Sequence, residues 1–151
     1  MDAADIMTRD VATVTPTQTL EQAAQLMWEA DCGAIPVIDG DGLVVGMITD
    51  RDICMASLIQ GKLLWEIPIT AVAATEPCVA REDQPVEVVE SLMRDHHVRR
   101  IPIVDHTRKL VGIISLTDIA RHTRHDGGHH DALSPESVAS TLAAISAPHN
   151  A

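Results

Sequence analysis

The sequence predicts an α+β fold made of two consecutive β-α-β-β-α units, and three observations carry that prediction. An eight-residue phrase, Val45-Gly46-Met47-Ile48-Thr49-Asp50-Arg51-Asp52, returns as Val111-Gly112-Ile113-Ile114-Ser115-Leu116-Thr117-Asp118. The copies are offset by 66 positions (45 to 111), and the halves align at that offset without a gap from Val11 to Ser57. Leu26, Met27, Ile35, Pro36, Asp39, Val45, Gly46, Ile48, Asp52 and Ile53 recur identically, clustered at the joints between elements. Self-similarity at a fixed spacing marks a duplicated structural unit. At roughly 60 residues either unit alone would be marginal, so two halves related by a pseudo-twofold are expected to share a core.

Taken in order, Asp5-Ile6-Met7 begins with a short helical entry. Val11 to Val14 reads as a β-branched strand ended by Thr15-Pro16. Thr19-Leu20-Glu21-Gln22 is a capping box, and Leu20, Ala23, Ala24 and Met27 follow on one helical face, to end near Asp31 to Gly33. Ala34 to Ile38 is a strand, Asp39-Gly40-Asp41-Gly42 carries turn chemistry, and Leu43 to Ile48 is the return strand. The next helix reaches about Ile59 and stops at Gly61. The second copy repeats the order. Cys78 to Ala80 is a strand, a helix starts at Asp83-Gln84-Pro85 with Val86, Val89, Leu92 and Met93 inward, Arg99 to Asp105 and Leu110 to Ile114 form a hairpin, and a helix runs from Ile119 to about Arg124. Ser134-Pro135-Glu136 starts a tail helix with Val138, Leu142 and Ile145 on its apolar face. The expected divisions are 5–61 for the first motif, 62–70 for a connector, 71–124 for the second motif, 125–133 for a flexible His/Gly-rich linker and 134–147 for the C-terminal helix.

Composition bounds the function. Apolar residues make up 46% of the 151, but Trp28 and Trp65 are the sole aromatics, so no platform for stacking bases exists. A formal charge of −11 opposes the basic footprint needed for nucleic acid or an anionic membrane. Neither a spanning apolar run nor a signal peptide is expected, which points to the cytoplasm. Cys32, Cys54 and Cys78 are widely spaced, which suggests reduced and mostly buried thiols.

The repeated phrase is the candidate site. In each copy a strand hands over to a helix through a hydroxyl and a carboxylate three residues apart, Thr49/Asp52 and Ser115/Asp118. A helix start presents unpaired N–H groups and the positive end of a dipole, which suit the polar and anionic parts of a ligand. The same pattern is also what any capping box needs, so capping alone is the competing reading.

The element order, the Ile-Pro-Ile/Val strands and the G-h-h-[ST]-x-x-D phrase together resemble a tandem pair of CBS motifs, the Bateman module, over about Asp5 to Arg124. The resemblance implies a non-enzymatic regulatory or sensor module, of the energy-sensing and stress-response kind, that binds AMP, ADP or ATP, or S-adenosylmethionine or NAD, in clefts between the motifs. It requires no cofactor. By the resemblance, Asp52 and Asp118 take the ribose, Thr49 and Ser115 bond near the ribose or phosphate, and Thr13-Val14, Ile35-Pro36, Val79-Ala80 and Ile101-Pro102 flank the purine. Arg99-Arg100, where the first half has Gly33-Ala34, and Arg51 more remotely, are the phosphate candidates. The first cleft is left with a nucleoside-like ligand or none. The module would act as a homodimer, through helical positions such as Met55, Leu58 and Ile59, or through an unknown regulated protein. The competing reading for both arginines is a salt bridge with an acidic surface.

Two other classes are weighed against this one. His122, His125, His129 and His130, with Asp126 and Asp131, carry donors suited to zinc or nickel, in a metal-binding stress protein; a solvated linker is the plainer account of the same residues. A dimeric scaffold with degenerate pockets is the other. No catalytic signature is present, so no enzyme is expected.

Overall fold

The computed structural model describes residues 1–123 and 134–148. In chain order the elements are α1 (Ala3–Ile6), α2 (Leu20–Glu29), β1 (Ala34–Ile38), β2 (Val44–Thr49), α3 (Asp50–Gln60), two 3₁₀ turns at Leu64–Glu66 and Ile69–Ala71, β3 (Ala80–Arg81), α4 (Val86–His96), β4 (Arg100–Val104), β5 (Leu110–Ser115), α5 (Leu116–Thr123) and α6 (Pro135–Ser146). The mixed α+β class and the helical tail are as the sequence predicts. Among the described residues no helix is long and apolar enough to cross a membrane.

Two compact units result. The first comprises Asp10–Pro77 with Arg108–Leu110, and the second comprises Met1–Arg9, Cys78–Thr107 and the described residues from Val111 onward.

In the first unit β1 and β2 pair antiparallel, with Ile35 opposite Ile48. Asp39 Oδ1 closes their turn by accepting from the N–H groups of Asp41 and Leu43. Thr19 and Gln22 form the capping box that starts α2, and Gly61 ends α3 in the left-handed conformation, φ +59°. The expected strand from Val11 to Val14 shrinks to one parallel bridge, Val14 to Val37. Beyond it the Thr15 N–H donates to Gln18 Oε1 at 2.8 Å, so the chain turns away instead of extending the ladder.

The stretch read as a connector is a core element. Ile67 and Ile69 are 1% and 0% exposed and sit with Leu20, Ile35 and Ile48. The Leu20 N–H donates to the Ile67 carbonyl at 2.9 Å and the Ile69 N–H to the Gln18 carbonyl at 2.9 Å. Offset by 66 positions, the same bonds hold the N-terminus in the second unit: Val86 N–H to Met1 carbonyl at 3.2 Å and Ala3 N–H to Gln84 carbonyl at 2.8 Å. The lead-in segment of each repeat therefore packs in the unit formed by the other repeat.

The lead-ins also explain the glycine of the repeated phrase. Ala74 bridges to Met47, and Thr8 to Ile113, each crossing beside that glycine. A Cβ on Gly46 would lie 2.7 Å from the Ala74 carbonyl oxygen, and one on Gly112 would lie 2.5 Å from Met7 Sδ. The first obstacle is hydrogen-bonded backbone; the second is the buried Met7 side chain down to its root, with Cγ at 2.8 Å and Cβ at 3.1 Å. Gly46→Ala and Gly112→Ala are each expected to cost about 1 to 3 kcal/mol, as overpacking does. Urea unfolding of the two variants checks this, and no loss in either would contradict it.

The second unit contains a three-stranded sheet, β3-β4-β5, in which β3 runs parallel to β4 with Ala80 opposite Ile103. Its pairing is two residues long, starting two residues later and ending one residue later than the Cys78 to Ala80 expectation. On α4, Val86, Val89 and Met93 are buried as expected and Leu92 is half-buried, but Glu90 is buried too. A buried carboxylate must be hydrogen-bonded, and α6 supplies the donors. Ser137 Oγ and Thr141 Oγ1 donate to Glu90 Oε1 at 2.7 and 2.5 Å, and the Arg94 guanidinium lies 3.4 Å from the same oxygen while donating to Thr141 Oγ1 at 2.8 Å. This bonding sets the rotation of α6. Thr141 and Ile145 are inward, Val138 is half-buried, and Leu142, expected on the apolar face, is 47% exposed.

Candidate functional site

Each repeat brings its hydroxyl and carboxylate together at the start of a helix. In the first unit the Thr49 N–H donates to Asp52 Oδ2 at 2.9 Å, and the Asp52 N–H returns a bond to Thr49 Oγ1 at 3.1 Å. In the second, the Ser115 N–H and Oγ both donate to Asp118 Oδ2, at 2.8 and 2.6 Å, and the Asp118 N–H donates to Ser115 Oγ at 3.2 Å. Capping is thus realised in both copies.

Capping uses one oxygen of each acid. Among the described residues Asp52 Oδ1 has no hydrogen bond, and Asp118 Oδ1 faces only the exposed Arg121 guanidinium at 4.0 Å. Both acids are half-buried. Each joint therefore holds a fixed carboxylate with one oxygen available for a donor such as a sugar hydroxyl.

The strand before the hairpin is tied to the same joint. The Asp50 N–H donates to the Gly33 carbonyl at 3.0 Å, and its counterpart, the Leu116 N–H, donates to the Arg99 carbonyl at 3.0 Å. The backbone of Arg99 is thereby held at the start of α5, which follows Ser115. The halves differ here: a Cβ on Gly33 would lie 2.8 Å from Asp50 Oδ2, whereas position 116 is a leucine.

Arg99 is exposed and Arg100 half-buried, and among the described residues neither makes an ion pair or a side-chain hydrogen bond. The salt bridges that would neutralise them are not formed there. Arg51 is exposed on the first turn of α3.

The apolar residues expected around a purine divide in two. Thr13 and Val79 are half-buried and retain surface. Ile35 and Ile101 are fully enclosed, and Val14, Pro36, Ala80 and Pro102 are buried. These six side chains are packed in the cores of their units. The Val14 N–H, for one, is already taken by the Pro36 carbonyl at 3.1 Å.

His122 Nδ1 lies 2.9 Å from the Asp118 carbonyl oxygen. His125, His129 and His130, the other metal candidates, lie outside the described residues, as do Asp126 and Asp131. Among the described residues no three His, Cys, Asp or Glu side chains gather as metal ligands would. The thiols depart in part from expectation. Cys32 and Cys78 are half-buried but Cys54 is exposed. Burial, and secondarily the nearby Asp95 carboxylate, push the Cys78 thiol above its ordinary pKa.

A duplicated α+β unit with a hydroxyl–carboxylate cap at each strand-to-helix joint defines a tandem regulatory module. The chain belongs to the CBS domain family, whose description matches residues 3–59 and 69–125. It is 43% identical over 116 residues to the CBS domain-containing protein YhcV of Bacillus subtilis, covering 77% of this chain and 81% of that protein. It is 40% identical over 122 residues to hypoxic response protein 1 of Mycobacterium tuberculosis, covering 80% and 83%. Among solved structures, Hypoxic Response Protein I with two coordinated zinc ions is similar at a TM-score of 0.74 and 35% identity, covering 81% of this chain and 98% of that one. A CBS domain pair in complex with 5′-methylthioadenosine and S-adenosyl-L-methionine is similar at 0.73 and 30%, covering 81% and 98%. CBSX2 in complex with AMP is similar at 0.69 and 26%, covering 80% and 94%.

Proposed function

We propose that this chain is a sensor of adenosine-containing ligands that takes a phosphorylated one, of the AMP, ADP or ATP class, at the joint of the second unit, and that it works as a homodimer. The observation carrying the reading is the pair Arg99 and Arg100. Two cations without an ion-pair partner among the described residues, on a chain of net charge −11, lie on backbone that is hydrogen-bonded to the start of α5, the helix whose first turn carries Asp118. Asp118 Oδ1 would accept from the ribose hydroxyls and leave Arg121 free. The guanidinium groups would meet the phosphate, whose oxygens they match in geometry and permanent charge. Support comes also from the two structural relatives that hold AMP and S-adenosyl-L-methionine. The first unit has Gly33 and Ala34 in place of the arginines, which suits a nucleoside-like ligand or none.

Hypoxic Response Protein I holds zinc, but the described residues offer no such ligand group, so zinc is kept as an arm of the test. Thermal unfolding with AMP, ADP, ATP, S-adenosylmethionine, adenosine and zinc, each against buffer, checks the proposal. A ligand present at 100 times its Kd stabilises by about 2.7 kcal/mol, which reads as a rise of several degrees. AMP or ATP is expected to give that rise and adenosine a smaller one. No response to any adenine compound would end the nucleotide reading, and a response to zinc alone would favour the metal-binding alternative.

A further inference from the structure

We propose that α6 is a clamp on the second joint: docked against α4 and α5 it holds both arms of that site, so that the tail helix and a ligand bound there stabilise one another. The inference rests on the reading of the second joint as an adenine-nucleotide site and adds what regulates it.

α6 lies beyond the family description, which ends at residue 125, so it is an addition to the paired motifs. Its contacts fall on the elements that carry the candidate ligand-binding residues. Toward α4 it bonds with Glu90 and Arg94, and the Ala144 carbonyl oxygen lies 3.1 Å from His97 Nδ1. His97 ends α4 in the left-handed conformation, φ +52°, just before the segment of Arg99, whose carbonyl accepts from the Leu116 N–H. On its other side α6 packs on α5, whose first turn carries Asp118. One helix therefore braces the segment that leads into the arginines and the helix that holds the carboxylate. Among the described residues the first unit has no equivalent. Ala24, Trp28 and Asp31 occupy the positions of Glu90, Arg94 and His97 there, and Trp28 is 88% exposed. The brace and the arginine pair thus occur in the same half of the chain.

The seam is one that can open. Apart from Ile145 and the half-buried Val138, what α6 brings to it is polar, Ser137 and Thr141 on Glu90 and Arg94. Interfaces of that polarity belong to contacts that form and part. When α6 leaves, water replaces its hydroxyls on Glu90, so no buried charge is stranded. A site whose arms are fixed while α6 is docked binds more tightly in that state, and by linkage the ligand favours docking by the same factor.

The test uses the full chain and AMP. In the free protein the α6 amides are expected to exchange faster than those of β4 and β5, and to slow about tenfold at saturating AMP. Thr141→Glu sets a second carboxylate against Glu90 and is expected to free α6, with protection in β4 and β5 kept and AMP affinity lowered about tenfold. The double variant Ser137→Ala with Thr141→Val, which removes both hydroxyl donors from Glu90, is expected to act the same way. Leu142→Ala, at an exposed position of α6, is expected to change neither quantity. Unchanged AMP affinity in a variant whose α6 exchanges freely would overturn the clamp and leave the nucleotide reading standing. So would α6 exchange that is the same with and without AMP in the unsubstituted chain. An unsubstituted chain that binds no AMP would end the nucleotide reading and the clamp together.

Discussion

Deleting the first nine residues is expected to destabilise the unit built from the second half of the chain and to leave the first unit nearly untouched. Ala3, Ile6 and Met7 are buried in the core that contains Val86, Met93, Ile101 and Ile119. Burial of an Ile or Met side chain contributes about 1.5 to 3 kcal/mol, so the loss of Ile6 and Met7 amounts to roughly 3 to 6 kcal/mol. The N–H groups of Val86 and Ile113 also lose their carbonyl partners at Met1 and Thr8. Against a typical domain stability of about 5 to 15 kcal/mol, that is a large fraction. Hydrogen exchange resolved by residue is the measurement, since it reports each unit separately. Protection is expected to collapse across α4, β4 and β5 and persist in β1 and β2. A loss centred on the first unit would show that the lead-in belongs to its own repeat after all.

Asp118→Asn is expected to weaken AMP binding by about 1 to 3 kcal/mol, or roughly 5- to 150-fold, because the amide replaces a charged acceptor and strands the ribose hydroxyls. The asparagine is the informative variant. Its side-chain oxygen can still accept from the Ser115 N–H, so the cap of α5 is preserved. Asp118→Ala also removes the acceptor of the Ser115 N–H and Oγ, while the bond from the residue 118 N–H to Ser115 Oγ remains, so it mixes a loss of helix-start bonding with the loss of binding. Replacing Arg99 and Arg100 by Ala should act differently, weakening AMP and ATP more than adenosine and flattening the dependence of affinity on salt. Calorimetric titration at two salt concentrations separates the roles. Unchanged affinity in Asp118→Asn would remove the second joint from consideration as the binding site.

Much of the fold was legible because it was written twice. The capping boxes at Thr19 and Thr49, the stop at Gly61 and both hairpins follow from local chemistry that needs no tertiary context. The burial of Ile67 and Ile69 within Lys62 to Thr70 was not legible because Trp65 and Pro68 interrupt any period and the two 3₁₀ turns there are too short to show one. The exchange of lead-in segments was invisible for a deeper reason: a repeat reveals which residues correspond, but does not say which copy a segment packs against. Glu90 was missed because a carboxylate on a helix is ordinarily solvated, and the hydroxyls that satisfy it lie 47 and 51 residues away. At the candidate site the hydroxyl–carboxylate pairs were plain in sequence. The enclosure of Ile35 and Ile101 was not, because an apolar strand residue reads the same whether it faces a ligand or the interior.

The discontinuous second unit also bears on synthesis at the ribosome. Residues 10–77 are nearly complete as a unit once they emerge, lacking only residues 108–110. The first nine residues must wait for α4 and β5. At about 5 to 20 residues per second, that leaves Ile6 and Met7 uncovered for several seconds in the nascent chain, a window in which a holdase chaperone or a neighbouring nascent copy would find them.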